Sequence, residues 1–484
     1  MHSGHGESAG RITLVAVVLI AAYYVGRFHD CTRMFFALDD FWVLRDAADV
    51  HIHSVGDLGQ LFRFGHNGFT LYRPLTTVTY FYVLRLLFGY DASGYHAVQL
   101  LAHVANALLV YGIARRLSAS ALAGLAVSLV YAAAPGHIGS IYPLCNFVMT
   151  GTTTAVFLMI YVWLRTAGIW RAVSCTVLQT IGLLASEHAL AGPLLLSAMA
   201  IFRRPRESRQ RVVAQLAGSY AVSGAYVAAK LYYFTAMHPL TPEAAYAVRI
   251  DSVSWLRAIG RYAAASVNAL SLLALGESMS LALGVAIAVL TAVACWRALL
   301  RGEERWNLVA LGCLVFVIGL LPVLPLARHF YAHYIGIAAL GTALLMLGSC
   351  RLLTQHWRGV AMGIATALIG LELVTAGRAT RTEATFQLYR ESAAWSARWV
   401  YHATHVGADV HTVLVPRNVM TTYVFDLGHA QQLFATGVPS MIQWYELLDP
   451  PSVTPGTVVL SDPPDAIPAG GPLPGWQRRW EWLR

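Results

Sequence analysis

Long apolar runs recur through the first 377 residues of the chain, and short loops rich in arginine separate them. A run of about 20 apolar residues is long enough to cross a bilayer as a helix. Hydrophobic residues make up 57% of the 484 residues and charged residues only 12%, whereas roughly a quarter of the residues in a soluble domain are charged. The predicted fold class is therefore mainly α, a polytopic transmembrane helical protein.

The apolar runs give the number of spans, and the arginines give their direction. We expect about eleven spans, near residues 11–28, 95–116, 119–135, 141–164, 170–186, 189–202, 212–235, 279–300, 306–327, 331–350 and 358–377. The loop arginines fall on one side, which is the cytoplasm by the positive-inside rule, so the N-terminus lies inside and the C-terminus outside. Segments 73–90 and 253–275 are predicted to be helices in the outer interface. Because the arginines lie in short loops, the net charge of +9 does not indicate nucleic-acid binding.

The sequence changes character after residue 377, where charged and aromatic residues alternate and proline and glycine become frequent. The segment 379–407 has the pattern of an amphipathic helix, 411–415 and 457–460 resemble strands, and 428–436 is predicted to be helical. We therefore divide the chain into a transmembrane domain, 1–377, whose first outer loop is 29–94, and a small outer α/β domain, 378–484.

Two adjacent carboxylates, Asp39 and Asp40, follow the first apolar run and stand among phenylalanine and tryptophan residues. The pair is compatible with the solvated start of a loop or with the N-cap of the next helix. It is equally compatible with a general base whose pKa is raised by apolar surroundings. A third interpretation is a site for a divalent cation, Mg²⁺ or Mn²⁺, with Glu187 as a further ligand.

Two clusters of arginine with aromatic residues predict contacts with a phosphate group. Arg328, His329, Tyr331 and His333 open the tenth predicted span, where a helix N-terminus favours an anion and arginine adds charge-assisted hydrogen bonds. Arg73, in the first outer loop, is the second arginine predicted to have this role. Anchoring in the aromatic belt and snorkelling toward lipid headgroups are the alternatives.

Glu187 and His188 stand between two short apolar runs, where a charged side chain is expensive unless it is paired or faces water. We expect Glu187 to support an acceptor or a metal, with His188 as its hydrogen-bonded neighbour. Tyr72 and His96 are further candidates for this supporting role. Polar packing between helices is the alternative for His96.

Several short motifs follow one another in an order that resembles the GT-C superfamily of membrane glycosyltransferases, in particular its protein O-mannosyltransferase, TMTC-like and aminoarabinose-transferase branches. The motifs are Asp39-Asp40, Tyr72-Arg73-Pro74-Leu75, Gly94-Tyr95-His96 with His103, Pro135-Gly136-His137, Glu187, and Arg328-His329-Phe330-Tyr331. The resemblance covers most of residues 11–377. The chain departs from the TMTC-like pattern at Ser186-Glu187, where those proteins have Lys-Glu, and at Arg328-His329-Phe330, where they have Glu-Arg-Tyr.

The resemblance implies a polyprenyl-phosphate-linked sugar donor and a carboxylate of the first outer loop as the catalytic base, which is Asp40 or Asp39 here. The implied reaction transfers the sugar, with inversion, to a hydroxyl or amine of a glycan, lipid or protein acceptor. It takes place at the outer face of a bacterial inner membrane. The donor phosphate would be bound by Arg328 and Arg73, helped by the histidine and tyrosine residues near Arg328.

Three other interpretations stay open from the sequence. One is a transporter or flippase of lipid-linked glycans, in which intramembrane charges form the substrate path. Another is a polysaccharide ligase or polymerase, and the last is a non-catalytic membrane subunit. The large first outer loop and the lack of an internal repeat favour the enzyme over the transporter.

Overall fold

A computed structural model gives the fold for residues 4–63, 71–203, 207–237, 249–266, 276–326 and 330–354, and for the shorter stretches 389–390, 392–394, 396–397, 412–416, 441–445 and 457–459. This part of the chain is mainly helical. Its α-helices are α1 (Gly4–Phe28), α2 (Asp40–Ala48), α3 (Tyr80–Phe88), α4 (Ala92–Ser118), α5 (Ala121–Ala133), α6 (Ile138–Ile141), α7 (Phe147–Arg165), α8 (Gly168–Ala185), α9 (Ala191–Arg203), α10 (Arg209–Tyr232), α11 (Ser252–Ser266), α12 (Glu277–Cys295), α13 (Asn307–Leu320) and α14 (Ala338–Thr354).

Six helical segments within the described ranges are long and apolar enough to cross a membrane: Ile12–Arg33, Ala92–Ser118, Leu144–Arg165, Gly168–Ala185, Arg209–Thr235 and Glu277–Leu300. A seventh results if Ala121–Ala133 and Pro135–Ile141, bent by 53°, form one span. Three other predicted spans coincide with the shorter helices α9, α13 and α14, of 13, 14 and 17 residues. The predicted span at 358–377 lies outside the described residues, so the count of about eleven stays a prediction.

Helix α1 illustrates why these segments are helices and how they pack. In lipid every backbone polar group must be satisfied within the segment, and a helix does this with its own hydrogen bonds. Ala16, Ile20 and Tyr24 have no exposed surface and recur every four residues, whereas Leu14 and Val18 are exposed. One face of α1 is therefore packed against protein, and the opposite face carries the apolar side chains that suit lipid.

The chain divides into two compact units. The first, which we call the helical unit, comprises Met1–Arg27, Leu100–Ser140 and Val148–Glu383. The second, which we call the loop unit, comprises Phe28–Gln99, Ile141–Phe147 and Ala384–Arg484. The predicted domain boundary after residue 377 stays a prediction.

Within the loop unit, α2 packs against α3 and against a π-helical turn at Leu75–Thr79 that leads into α3. Strands β1 (Thr412–Pro416), β2 (Met441–Tyr445) and β3 (Thr457–Val459) form a parallel sheet in the order β2-β1-β3. Thr412 of β1 is opposite Met441 of β2 and Thr457 of β3. Strands β1 and β3 lie at the two predicted strand segments, β2 was not predicted, and the predicted helix 428–436 lies outside the described residues.

In the helical unit, α13 packs on α14 and α9, α8 packs on α10, and α11 packs on α12. The helices of the pair α11–α12 meet at two glycines, Gly260 and Gly284. A Cβ on Gly260 would collide with the backbone of Ser280, and a Cβ on Gly284 would collide with the backbone of Leu256. The missing side chains therefore allow α11, which lies in the segment predicted to be interfacial, to rest directly on the span α12.

Replacing Gly284 with alanine is expected to destabilise the protein, because the added methyl group has no room against α11. Overpacking of this kind costs about 1–3 kcal/mol, so the midpoint of thermal unfolding in detergent should fall. Gly224 in α10 is the matched control, since a Cβ there meets nothing within 4 Å. Gly224→Ala should leave the midpoint unchanged or raise it, and equal effects of the two substitutions would contradict the close approach.

Candidate functional site

The two predicted carboxylates lie where α2 begins, in the loop unit. Leu38, just before them, has a φ of 52°, a left-handed conformation that costs energy for a residue with a bulky side chain. Asp39 occupies the N-cap position, but its side chain makes no capping hydrogen bond. Asp39 is exposed, whereas Asp40 has no exposed surface. The strained turn therefore directs two neighbouring carboxylates into different environments.

Among the described residues, three groups donate a hydrogen bond to the buried side chain of Asp40. The backbone N–H of Ala37 donates to Oδ2 at 3.0 Å, and the backbone N–H of Cys145 donates to Oδ1 at 2.7 Å. The hydroxyl of Tyr389 donates to Oδ2. Donors of this kind offset the cost of taking a carboxylate out of water, and they fix both oxygens of Asp40.

The surroundings of Asp40 are apolar and largely aromatic. Phe35, Phe36, Phe41, Phe81, Tyr95, Leu144 and Ala397 belong to one buried cluster of the loop unit. Burial raises the pKa of Asp40 to about 7, whereas the hydrogen bonds from Tyr389, Ala37 and Cys145 act to lower it. The charge of Asp39 adds a smaller upward effect. Asp40 is therefore a titratable group near neutral pH without contact to solvent.

Tyr72 and Arg73 lie just before the π-helical turn at Leu75–Thr79 that leads into α3. The Tyr72 hydroxyl donates to the carbonyl oxygen of Phe62 at 2.8 Å. The carbonyl oxygen of Arg73 accepts from the backbone N–H of Thr77 at 3.0 Å. Both Tyr72 and Arg73 are half-buried, and burial raises the pKa of the Tyr72 phenol. These bonds fix the backbone from which the Arg73 side chain extends.

Glu187 and His188 lie in a short 3-10 turn between α8 and α9. The Ser186 hydroxyl donates to Oε2 of Glu187 at 3.3 Å and lies 2.9 Å from Nδ1 of His188. The ring of His188 stacks on Tyr334 with centroids 5.1 Å apart. His188 and Glu187 thus share the Ser186 hydroxyl as a common partner, and the predicted role of the two side chains at an acceptor stays a prediction. His96, in the loop unit, has no exposed surface, so contact with an acceptor would require movement.

The predicted phosphate contacts before the tenth span are only partly within the described residues. Arg328 and His329 lie outside them. The rings of Tyr331 and His333 stack with centroids 5.2 Å apart, and Tyr331 is 44% exposed. The expected helix N-terminus lies elsewhere, because a 3-10 turn at Ala332–Ile335 intervenes and α14 begins at Ala338. Tyr331 and His333 are therefore not on the first turn of α14.

Polar side chains of the helical unit meet around His103. Its Nε2 lies 3.0 Å from Oγ1 of Thr150 and 3.3 Å from the carbonyl oxygen of Ser140. Nε2 of His137 lies 2.8 Å from the carbonyl oxygen of Tyr131. The adjoining cavity, of about 10 Å³, has room for roughly one water. This cluster has the character of polar packing between helices, and its cavity is too small for a sugar or a lipid headgroup.

A larger cavity of about 190 Å³ lies in the helical unit beside α11. Its lining comprises Arg249, Ser254, Arg257, Ala258, Arg261, Tyr262, Glu277, Val323, Leu326 and Phe330. We call it the arginine cavity. It is smaller than the roughly 300–1,000 Å³ of pockets for drug-sized ligands, so its size suits a headgroup or a small anion.

Positive charge dominates the arginine cavity. Arg257 and Arg261 are one turn apart on α11, where two like charges destabilise a helix. Glu277 compensates part of this charge, since its Oε2 lies 3.3 Å from Nη1 of Arg257. Nε of Arg257 is buried and has no hydrogen-bond partner among the described residues. A bound anion would offset the repulsion and supply that partner.

The position of Arg249 is also fixed. Its backbone N–H donates to the carbonyl oxygen of Pro325 at 2.8 Å, and its carbonyl oxygen accepts from the indole of Trp255 at 3.0 Å. From the sequence, the segment 253–275, which contains Arg257 and Arg261, is predicted only to be a helix in the outer interface. The four-residue spacing of Arg257 and Arg261 was the signal that could have identified them.

The residues proposed for a divalent cation fit it only in part. Asp40 is fully buried and both of its oxygens already accept hydrogen bonds, so it does not offer a free ligand. In the described part of the chain, no group of three or more His, Cys, Asp or Glu side chains is placed to hold a metal ion. A requirement for Mg²⁺ or Mn²⁺ stays a prediction.

The free energy of unfolding is expected to fall as the pH rises from about 4 to about 7. An unfolded aspartate has a pKa near 3.9, whereas burial raises that of Asp40 to about 7. Between these values the folded protein binds a proton that the unfolded chain has released, so acid stabilises the fold. Asp40→Asn should remove this contribution, measured as a smaller difference between thermal midpoints in detergent at about pH 5 and about pH 8.

Asp57→Asn is the control for this experiment. Hydrogen bonds from the Ser54 side chain and from backbone N–H groups lower the pKa of the exposed Asp57. The stabilising contribution of Asp57 is therefore lost as the pH falls, which is the opposite direction. The same pH dependence in wild type and Asp40→Asn would contradict the buried position of Asp40.

No protein-family model and no curated protein matches this chain.

Proposed function

We propose that the protein is a membrane glycosyltransferase that moves a sugar from a polyprenyl-phosphate donor to an acceptor hydroxyl or amine. The observation that carries the proposal is the carboxylate pair after α1, in which Asp39 is exposed and Asp40 is buried and hydrogen-bonded. Adjacent carboxylates in unlike environments can have different protonation states and roles at one pH. A strained backbone at Leu38 supports a functional interpretation of this turn.

In the proposed reaction Asp39 is the general base, because it is the exposed member of the pair and can reach a substrate. The acceptor oxygen or nitrogen forms a bond to the anomeric carbon while the bond from that carbon to the phosphate oxygen breaks. The acceptor proton moves to the Asp39 carboxylate, and the electron pair of the broken bond leaves with polyprenyl phosphate. This single displacement inverts the anomeric carbon. Asp40 acts by holding the turn.

The leaving phosphate gains negative charge as the bond breaks, so the enzyme needs positive charge around it. In the helical unit, the arginine cavity offers Arg249, Arg257 and Arg261 against the carboxylate of Glu277, and we propose that it binds an anionic group such as a phosphate. Arg328, Arg73, Tyr331, His333 and His329 stay proposed donor contacts, and Glu187, His188, Tyr72 and His96 stay proposed supports for the acceptor.

The finer architecture belongs to the same proposal. It comprises about eleven spans of GT-C type, an outer α/β domain over residues 378–484, and a location in a bacterial inner membrane with the site at the outer face. The six helices of the described ranges that are long and apolar enough to span a membrane support its transmembrane character.

The proposal is tested by transfer or hydrolysis of labelled sugar from a short-chain polyprenyl-phosphate donor by the protein in nanodiscs. Asp39→Asn should lower kcat by about 10²- to 10⁴-fold, the usual contribution of a general base. Arg261→Gln should raise the donor KM by about tenfold, because a charge-assisted hydrogen bond to the phosphate is lost. A parallel assay with EDTA tests the divalent cation.

Arg305→Gln is the matched control for the arginine substitution, since Arg305 pairs with Glu303 and lies outside the arginine cavity. It should leave both kinetic constants unchanged. An unchanged donor with folded, donor-binding wild-type protein would contradict the transferase and favour the flippase of lipid-linked glycans.

A further inference from the structure

The described residues of the C-terminal part of the loop unit contribute one polar group to the carboxylate pair. Tyr389 is 1% exposed, and its hydroxyl donates to Oδ2 of Asp40. The two residues are 349 positions apart in the sequence. Among the described residues, the Tyr389 hydroxyl is the one donor to Asp40 from the part of the loop unit that begins at Ala384, whereas the other donors are backbone N–H groups of residues 37 and 145.

Tyr389 is held in place by a helical stripe of small residues. The described residues from 389 to 397 are helical, and Tyr389, Ala393 and Ala397 recur every four residues with at most 2% exposure. Ala397 belongs to the same buried cluster as Phe41, which directly follows Asp40. Small side chains on this face allow the segment to approach the first loop closely, so the phenol reaches the carboxyl group with its rotation restricted.

We propose that Tyr389 is a positioning residue for the carboxylate pair: its hydrogen bond fixes Asp40 and, through the turn at Leu38, the exposed carboxylate of Asp39. This role rests on the proposed glycosyltransferase function. It gives the C-terminal segment a part in the reaction although Tyr389 does not meet the substrate. A misplacement of a reacting group by about 1 Å can lower the rate roughly a hundredfold. The hydrogen bond from Tyr389 to Asp40 therefore contributes to the reaction rate as well as to the stability of the fold.

The hydroxyl also acts on the charge of the pair. Donation from Tyr389 favours the ionised form of Asp40, and loss of the donor shifts Asp40 toward its neutral form at a given pH. The titratable groups that face Asp40 are Asp39 beside it, the Cys145 thiol, and the phenols of Tyr80 and Tyr389. Asp39 is the only other carboxyl group among these, so a change in the charge of Asp40 acts directly on the proposed base.

The experiment compares full-length wild type with Tyr389→Phe, a change that removes one oxygen and keeps the ring. The expected result is a fall in kcat of about ten- to a hundredfold at unchanged donor KM. The inflection of the kcat–pH profile near neutral pH should move to higher pH in Tyr389→Phe and disappear in Asp40→Asn. A protein with 3-fluorotyrosine at position 389, whose phenol is a stronger donor, keeps the packing and should move the inflection to lower pH.

Tyr142→Phe is the matched control. Tyr142 is also 1% exposed in the loop unit, and its hydroxyl donates to Oδ1 of Asp30 at 2.9 Å, so the substitution removes the same kind of bond from a different aspartate. It should leave the kcat–pH profile unchanged. If Tyr389→Phe and Tyr142→Phe have the same kcat and pH profile, Tyr389 is only a packing residue and the proposal is overturned.

A second measurement separates this proposal from the proposed function. Thermal unfolding in detergent of wild type, Asp40→Asn, Tyr389→Phe and the double variant reports the coupling of the two side chains without any substrate. A non-additive cycle with no sugar transfer by wild type would keep the contact and overturn both the transferase and the positioning role. An additive cycle together with transfer by wild type would overturn the positioning role alone.

Discussion

Moving an ionised carboxylate completely out of water costs several kcal/mol of free energy unless hydrogen-bond donors surround it. Asp40 is such a group, and three parts of the loop unit supply its donors. Ala37, in the same turn, and Cys145, just before α7, each donate a backbone N–H, and Tyr389 donates its phenol hydroxyl. The aromatic cluster excludes water and makes each of these bonds stronger. The same arrangement leaves Asp39 at the surface. The burial of Asp40 therefore determines the position of its exposed neighbour.

In the helical unit, the charges that need compensation are those of arginine side chains. Helix α11 carries two arginines one turn apart, and their like charges destabilise the helix by roughly 0.2–0.5 kcal/mol unless other groups balance them. Gly260 and Gly284 bring α11 against α12, and the carboxylate of Glu277 on α12 then reaches Arg257. Partial compensation by a single carboxylate leaves a positive cavity. Close helix packing and the positive charge of the cavity thus depend on the same pair of glycines.

The sequence predicted the broad fold well because apolar runs of spanning length have few alternatives in lipid. Helices were expected at most positions where they occur, from α1 to α14, and strands β1 and β3 lie at the predicted segments. Helix ends were less predictable, since the start of α14 at Ala338 depends on a 3-10 turn that no local pattern indicates. The prediction of eleven spans rests on residues such as 358–377 that lie outside the described part of the chain, and it remains a prediction.

The site was predictable by residue type but not by environment. Asp39 and Asp40 are adjacent, and no rule of spacing tells which one is buried; that depends on the φ of Leu38 and on Tyr389. Long-range partners of this kind leave no trace in a local pattern. From the sequence, Tyr389 is one residue of a segment predicted to be amphipathic, and Arg257 and Arg261 are residues of a segment predicted to be an interfacial helix. Sequence analysis therefore located the carboxylates and missed both the groups that surround them and the arginines that line the cavity.

The distance in sequence between Asp40 and Tyr389 has a consequence for biosynthesis. Ribosomes add about 5–20 residues per second, so the 349 positions between the two residues correspond to roughly 17–70 s of translation. During this interval the first loop already exists while its last hydrogen-bond donor has not been made. The carboxylate pair reaches its final geometry only after residue 389 has left the ribosome, and a nascent chain that ends before this residue leaves Asp40 without the hydrogen bond from Tyr389.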